Sequence, residues 1–596
     1  MTNEPTYEFP LSRDSYAAFD AISLRNLIIQ RLNDQNVITD QNYIGSNLAS
    51  VIDIISYSFN TLLYYLNKTS TESTFSEAQL YENISRIVKL LDYKPIGYQT
   101  STLAFQCSAL DLDKGIYTIP RYSYLMVGSV PFSFNEDITF SIPASGSFVE
   151  LSDLSNKKLL YQGIFRENSL HTASGDENEV VTINLANATI DHLNVDVYVY
   201  ENRKSKWMQY KNVPNFYTEQ AFSRSFEKRL NSTFLYEITF GNGINGRKLE
   251  KGDIVAVYFL QSNRENGVVG PNELTTSTQP NIFSTTTFNQ IIVDINEENF
   301  DYLIASQFKN IFFKNVTGST VPTDIEDSDS IRKNAPANFK SQYRLVTKED
   351  FETFIKINFA NFISDVKVLS NWDYTGKYLK YFHDIGVQPN QFRQILLNQV
   401  LYADACNFNN IYICATPRVS QSSSLKYLLP AQKEIISADM QLVKTLTTEI
   451  SFLDPIYKAI SFGVKTNDGV VVTDKDYCQL EIIKTQSTRR SDKSISKEVE
   501  NAFTTFFNPS NAKIGGKIEY SNLVSSLLLI DGVSRLRTRR LDTNEEFDGL
   551  CFFMWNPSYP TLDKQTIVNN LQLKDFELAY FENIDMLYSK LVVVAA

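Results

Sequence analysis

The sequence predicts a multidomain α+β protein: an N-terminal helical bundle segment, a β-rich central domain, and two C-terminal mixed α/β modules. Three observations carry this expectation. At 596 residues the chain is too long for one core. Its N-terminal region spaces apolar residues by four and three, the helical period. Period-two alternation with Gly and Asn turns follows, and helix and strand patterns mix after Phe300.

Composition sets outer limits. Apolar residues at 43% and charged residues at 21% exclude a chain that is mostly disordered. With 68 acidic against 56 basic residues the net charge is −12, which opposes binding of a phosphate backbone, so no nucleic-acid partner is expected. Arg535, Arg537, Arg539 and Arg540 come nearest to a basic site, and their alternation around Leu536 fits a strand with one solvated face. Cys107, Cys406, Cys414, Cys478 and Cys551 are odd in number and share no C-x-x-C spacing, so reduced core cysteines are expected rather than disulfides or zinc. No stretch approaches the ~18 apolar residues of a membrane span. The region around Glu4 and Glu8 lacks the apolar run of a signal peptide, so folding in cytoplasm without membrane insertion is expected. Aromatics at 13% suggest an interface-rich surface, although cores use Phe too.

In chain order, an early helix holds Phe19, Leu24, Leu27, Ile28 and Leu32. From Ser46 a long helix places Leu48, Ile52, Ile55, Phe59, Leu62 and Leu66 on a heptad seam, and the pattern resumes at Leu80, Ile84, Ile87 and Leu91 before Pro95. Burying this seam is worth on the order of 15–30 kcal/mol, at about 1.5–3 per side chain before chain entropy. Its helices pack either within the chain or against helices of other subunits. Residues 1–95 form this helical region.

Residues 96–300 read as β structure. Leu103 to Phe105, Gly115 to Pro120, Val130 to Phe134 and the alternating, half-exposed run Val195 to Tyr200 are strand-like. Gly241, Gly243 and Gly246 then show the G-x-G-x-x-G spacing of a dinucleotide turn, and with Arg247 and Lys248 come within one residue of a Walker A loop. Both motifs need a helix next, so that backbone N–H groups and the helix dipole meet phosphate. Here Lys251-Gly252-Asp253 and the run Ile254, Val255, Val257, Tyr258, Phe259 give another turn and a strand. A strand, a Gly/Asn turn and a strand paired as a hairpin fit every residue.

Residues 301–441 mix helix and strand. Thr347 with Asp350 nearly makes a capping box at the start of a helix through Phe351, Phe354 and Ile355. Arg344 is read as a structural salt bridge, with an interface anchor as the alternative. Residues 442–540 form a small α/β module: a strand after Asp454-Pro455, a helix from Ser494 to Phe507, a turn at Ile514 to Gly516, and a helix from Leu523 to Ile530. Residues 541–596 form a tail whose apolar end, Leu591 to Val594, either pairs with a partner or docks at home.

Chemistry finds no support. His171, His192 and His383 are not spaced as a helix-borne metal pair, and no G-x-S-x-G is present. Asp111 to Gly115 hints at a calcium loop, but its twelfth position is Tyr122 rather than Glu. Glu326, Asp327 and Asp329 read as a solvated loop. No enzyme activity, metal or cofactor is expected.

Phe240-Gly241-Asn242-Gly243, Gly246-Arg247, Lys251-Gly252-Asp253-Ile254-Val255, Tyr258, Gly267 and Gly270 resemble the core signature of the baseplate J-like family, the wedge proteins of contractile phage tails. The family's usual Asp is Asn242 here, which keeps turn chemistry. Arg332, Ala335 and Pro336, followed by Arg344, Thr347 and Asp350, resemble its second signature, which implies an arginine-alanine-proline turn over Ile331 to Pro336 followed by a Val-Thr-capped helix. The chain departs from the pattern at Asn371-Trp372-Asp373-Tyr374, where an insertion reaching about Asn410 replaces a Gly/Pro-rich tract. The resemblance implies a structural subunit of the virion tail baseplate. Its N-terminal helices would bundle with other copies and wedge proteins, in a sixfold ring that also meets a sheath initiator and passes on the change that triggers contraction. A bacterial contractile injection system is an alternative setting. A receptor-binding or glycan-degrading tail protein is a different class, which the β-rich centre and the aromatics suggest, but the chain shows no internal repeat.

Overall fold

The computed structural model describes residues 21–35, 45–146, 148–151, 154, 157–183, 189–231, 233–274, 281–296, 301–386, 410–419, 426–465, 471–472, 478–486, 488–508, 512–563, 566–567 and 570–595. Phe19, Cys406 and most of the expected insertion lie outside them. The chain forms two compact units, one of residues 1–95, 230–234 and 326–339, the other of residues 96–229, 235–325 and 340–596. The described residues hold both helices and many strands, as the α+β expectation required.

The smaller unit is helical. Helix α1 (Ala21–Gln35) packs on α2 (Asn47–Glu72), with Arg25 Nε donating to Asp53 at 2.5 Å. Ser46 caps α2, its hydroxyl accepting the Ala49 N–H at 2.9 Å. Helix α3 (Tyr81–Val88) has an apolar residue, Leu80, where a capping side chain would stand. Glu72 ties down the entry to the helix, taking the N–H groups of Gln79 and Leu80 at 3.2 Å and the Asn83 side-chain amide at 3.0 Å. The chain leaves α3 through Asp92 in a left-handed conformation. Tyr93 then donates to Glu326, which also accepts from Asn334.

In the larger unit an eight-stranded sheet runs in the order His171–Thr172, Ile254–Ser262, Thr189–Glu201, Lys206–Asn212, Ser225–Leu230, Tyr236–Phe240, Val180–Ile183, with Ile164–Glu167 also pairing to Ile254–Ser262. This order corrects the expected hairpin. Tyr236–Phe240 and Ile254–Ser262 are not neighbours; three strands lie between them, so the glycine stretch crosses the sheet rather than folding one strand onto the next. The run Val195 to Tyr200 is also not half-exposed: Val195, Val197, Tyr198 and Val199 are all buried. Its polar face is covered because its side chains find buried partners, Tyr122 donating to Asp196 at 2.6 Å and Arg121 to the Tyr198 oxygen at 3.0 Å.

One hydrophobic cluster joins Tyr122, Tyr198, Tyr258 and Phe288 of the β-rich region to Phe351, Phe362, Ile413 and Ile436 beyond it. Around these last residues, Ile363–Ser370 pairs antiparallel with Asn410–Pro417, which runs parallel to Glu449–Leu453. Toward the C-terminus, Ile456–Phe462 lies between Phe552–Trp555 and Glu577–Phe581. Leu591–Val594 runs parallel to Cys478–Lys484, so the apolar end docks within its own chain. Cys107, Cys414 and Cys478 are buried free thiols.

Candidate assembly surfaces

The sequence-selected residues fall into three places. The first is α2. Its buried line is Ala49, Ile52 and Ser56, a narrow stripe of mostly small residues. The seam residues further along the helix stand in solvent: Ile55 is 51% exposed, Phe59 41%, Leu62 66% and Leu66 57%. Val51, Ile54, Tyr57, Tyr64 and Tyr65 are exposed as well, so apolar side chains surround much of the helix. Leu48 is half-buried. In and beside α3, Ile84 is buried, Ile87 and Leu91 are half-buried and Leu80 is exposed. The seam is therefore not one continuous buried line within the chain. α1 covers only one flank of a helix that, at about 1.5 Å per residue, is nearly 40 Å long.

The second place is the glycine crossing. Phe240 ends its strand fully buried. A Cβ on Gly241 would stand 2.3 Å from the Gly246 carbonyl, so the loop closes on itself only with glycine there. Gly243 and Gly246 have φ of 87° and 76°, and Asn242 Oδ1 accepts the N–H groups of Ile244 and Asn245 at 2.9 and 2.8 Å. A strand and no helix follows, so the geometry of a phosphate-binding turn is absent from this loop. Arg247 reaches inward to the fully buried carboxylate of Glu201, which Arg224 also grips at 2.6 and 3.2 Å. Burial pushes this carboxyl up, but the two guanidinium groups outweigh burial and hold it below the ordinary range. Asp253, also buried, accepts the N–H of Asn202 at 3.0 Å and of Glu250 at 3.1 Å. A Cβ on Gly252 would press on the Asn202 amide, 2.9 Å away. These signature residues thus fasten the loop to the end of Thr189–Glu201.

The third place is the second signature. Arg332 and Pro336 lie inside the helix Ser328–Ser341, not in a turn. An interior proline removes one N–H bond and crowds the carbonyl four residues back, and Ala335 and Ala337 on either side favour the helix that continues through it. Arg332 contacts Asp329 and the Ala78 carbonyl. Thr347 and Asp350 do form the capping box of Lys348–Asn358, Asp350 accepting the Thr347 N–H at 2.8 Å and Thr347 the Asp350 N–H at 3.3 Å. Arg344 is exposed and makes no ion pair with another described residue, in contrast to the expected salt bridge.

The arginines of Val533–Arg540 are each matched by acid: Arg535 by Asp548, Arg537 by Glu481 and Glu546, Arg539 by Glu481, and Arg540 by Asp542. Two further clusters escaped the sequence pattern, Glu201 with its arginines and Lys458 among Asp563, Glu577 and Tyr381. For the second the available signal was a lysine within the apolar strand Ile456–Phe462. Among the described residues, no helix is long and apolar enough to cross a membrane, and no group of His, Cys, Asp and Glu is placed to hold a metal ion.

No family model matches the chain. Among solved structures, a chain of the anti-feeding prophage baseplate aligns with a TM-score of 0.29 at 9% identity, covering 97% of this chain and 100% of that one. A chain of the type VI secretion TssK-TssF-TssG baseplate subcomplex aligns with a TM-score of 0.29 at 8% identity, covering 74% and 99%. In sequence, the chain is similar to the baseplate wedge protein gp6 of Enterobacteria phage T4, 21% identical over 367 residues that make up 58% of this chain and 51% of that protein, so that it spans about half of that relative's length.

Proposed function

We propose that this chain is a structural subunit of the baseplate of a contractile tail, a wedge component that assembles with copies of itself and with other baseplate proteins around the tail tube. The observation that carries this reading is the sequence similarity to the T4 baseplate wedge protein. The exposed apolar surface of α2 supports it, because Ile55, Phe59, Leu62 and Leu66 give a subunit the means to bundle with helices outside its own chain. On this reading the work is geometric rather than catalytic. Six wedges close a ring, and contraction follows when packed domains shift as rigid bodies between two arrangements. The glycine crossing and its Glu201 clasp keep one domain stiff enough to transmit such a shift.

Light scattering on the full chain tests the assembly role. The expected result is a dimer or larger species, returned to monomer by the double substitution Leu62→Asp, Leu66→Asp with unchanged circular dichroism. A full chain that stays monomeric over a wide concentration range, with the double variant indistinguishable from it, overturns self-assembly through α2.

A further inference from the structure

Lys458 carries its amine into the interior of the fold. It stands on the central strand Ile456–Phe462, 7% exposed, with its Nζ 4.6 Å from the centre of the Tyr381 ring. Two carboxylates meet it there. Asp563 contacts Nζ directly, from the segment that follows the strand Phe552–Trp555. Glu577 Oε1 lies 3.9 Å away, on the neighbouring parallel strand, where Ile456 is paired with Glu577 and Lys458 with Ala579. Lys458 and Glu577 therefore share one face of the sheet, one step apart.

The surrounding groups hold this arrangement in one pose. Tyr381 donates its hydroxyl hydrogen to Asp563 Oδ2 at 2.9 Å, and its oxygen lies 3.1 Å from Lys458 Nζ. Asn556 donates to the same hydroxyl at 3.0 Å. Glu577 is fixed by its other oxygen, which accepts the Lys574 N–H at 3.0 Å. Tyr381 and Phe576 belong to the hydrophobic cluster that closes over the site. A buried ion pair of this kind carries a desolvation penalty that a neutral linkage would not, and fixed contact between amine and carboxyl replaces a bimolecular encounter.

We propose that Lys458 and Asp563 condense to an intramolecular amide, with Glu577 as proton carrier. One proton passes from the ammonium to the Asp563 carboxyl, leaving a neutral amine beside a neutral acid. Nζ then attacks Cγ and forms the C–N bond. Glu577 removes a second proton from Nζ and delivers it to the departing hydroxyl, and the C–O bond breaks. Nζ keeps one hydrogen, while two hydrogens and one carboxyl oxygen leave as water. The reaction involves no oxidant, reductant or co-reactant. Its product ties the strand Ile456–Phe462 covalently to the segment after Phe552–Trp555 and closes a loop that can no longer be pulled open. The linkage does not depend on the assembly role.

Electrospray mass measurement of the purified full chain, denatured after folding, tests it. The expected mass is one water below that of the sequence, and digestion yields a branched peptide joining Lys458 to Asp563. Lys458→Arg is expected to show the full mass of its own sequence, read equally well whether or not that variant folds. Glu577→Gln, nearly isosteric, is expected to lose most of the linkage. A wild-type chain at full mass overturns the proposal, as does a water loss that persists in Lys458→Arg. Complete linkage in Glu577→Gln overturns the role of Glu577.

Discussion

The guanidinium of Arg247 rests on the buried carboxylate of Glu201, so a residue of the glycine loop is tied to the far end of the strand Thr189–Glu201. Removing one partner of a buried pair strands the other charge, and such losses run to about 3–5 kcal/mol. Arg224 still holds Glu201 in Arg247→Met, so the expected loss at neutral pH is smaller, about 1.5–3 kcal/mol, the range of a hydrogen bond to a charged group, measured by urea unfolding. The pair also sets a pH dependence. Because the folded Glu201 carboxyl lies below its ordinary value, its contribution is present above about pH 4.3, the unfolded value, and is lost as pH falls through the folded value. Glu201→Gln should therefore flatten the acid limb of the stability curve.

Asp196 bears on stability with the opposite sign. Burial raises its carboxyl, and the Tyr122 hydrogen bond and the positive charges of Arg121 and Lys228 only partly offset that. Its contribution is full below about pH 3.9, the unfolded value, and falls as pH rises through the folded value. Asp196→Asn, which still accepts from Tyr122, is expected to gain stability relative to the wild type between acid and neutral pH, read from paired unfolding curves.

Two glycines should respond in opposite directions to alanine. At Gly241 the added carbon would meet backbone 2.3 Å away, which no side-chain movement relieves, and a loss well above the ordinary ~1 kcal/mol of a point substitution is expected. Gly376 lies within the helical turn Tyr374–Leu379 with only Trp372 near its added carbon, at 4.0 Å. Gly376→Ala is expected to stabilise by about 0.5–1 kcal/mol. Thermal unfolding of the two variants side by side checks both.

The helical surface gives a third contrast. Ile84 is fully buried, and Ile84→Ala should lower stability by about 2–5 kcal/mol in chemical unfolding. Leu62, 66% exposed, should change monomer stability by no more than about 0.5 kcal/mol when replaced by Asp, while abolishing association. A large stability loss in Leu62→Asp would mean that the side chain is packed within the chain.

The capping box at Thr347 offers a local test. Thr347→Ala removes the acceptor of the Asp350 N–H, and a loss of about 0.5–2 kcal/mol is expected from unfolding curves.

Local order was legible in the sequence. Ser46 before an apolar period of four and three marks the start of α2, Thr347 with Asp350 marks a capped helix, and Gly243 and Gly246 mark a left-handed turn. These are decided by neighbours within a few residues, where backbone sterics and caps act. What lay far apart in sequence was not legible. The pattern gave two strands around Gly241 but not the three strands between them, because pairing depends on which edges meet and not on the loop alone. Period-two alternation at Val195 to Tyr200 suggested solvent on one face. Only the fold supplies Arg121 and Tyr122, whose hydrogen bonds let that face be buried. Likewise the heptad spacing fixed which side chains of α2 share a face, and tertiary structure decided that Ile52 is covered while Leu62 is left exposed. Periodicity fixes direction around an element, whereas burial requires a second surface, and that surface is placed by contacts far along the chain.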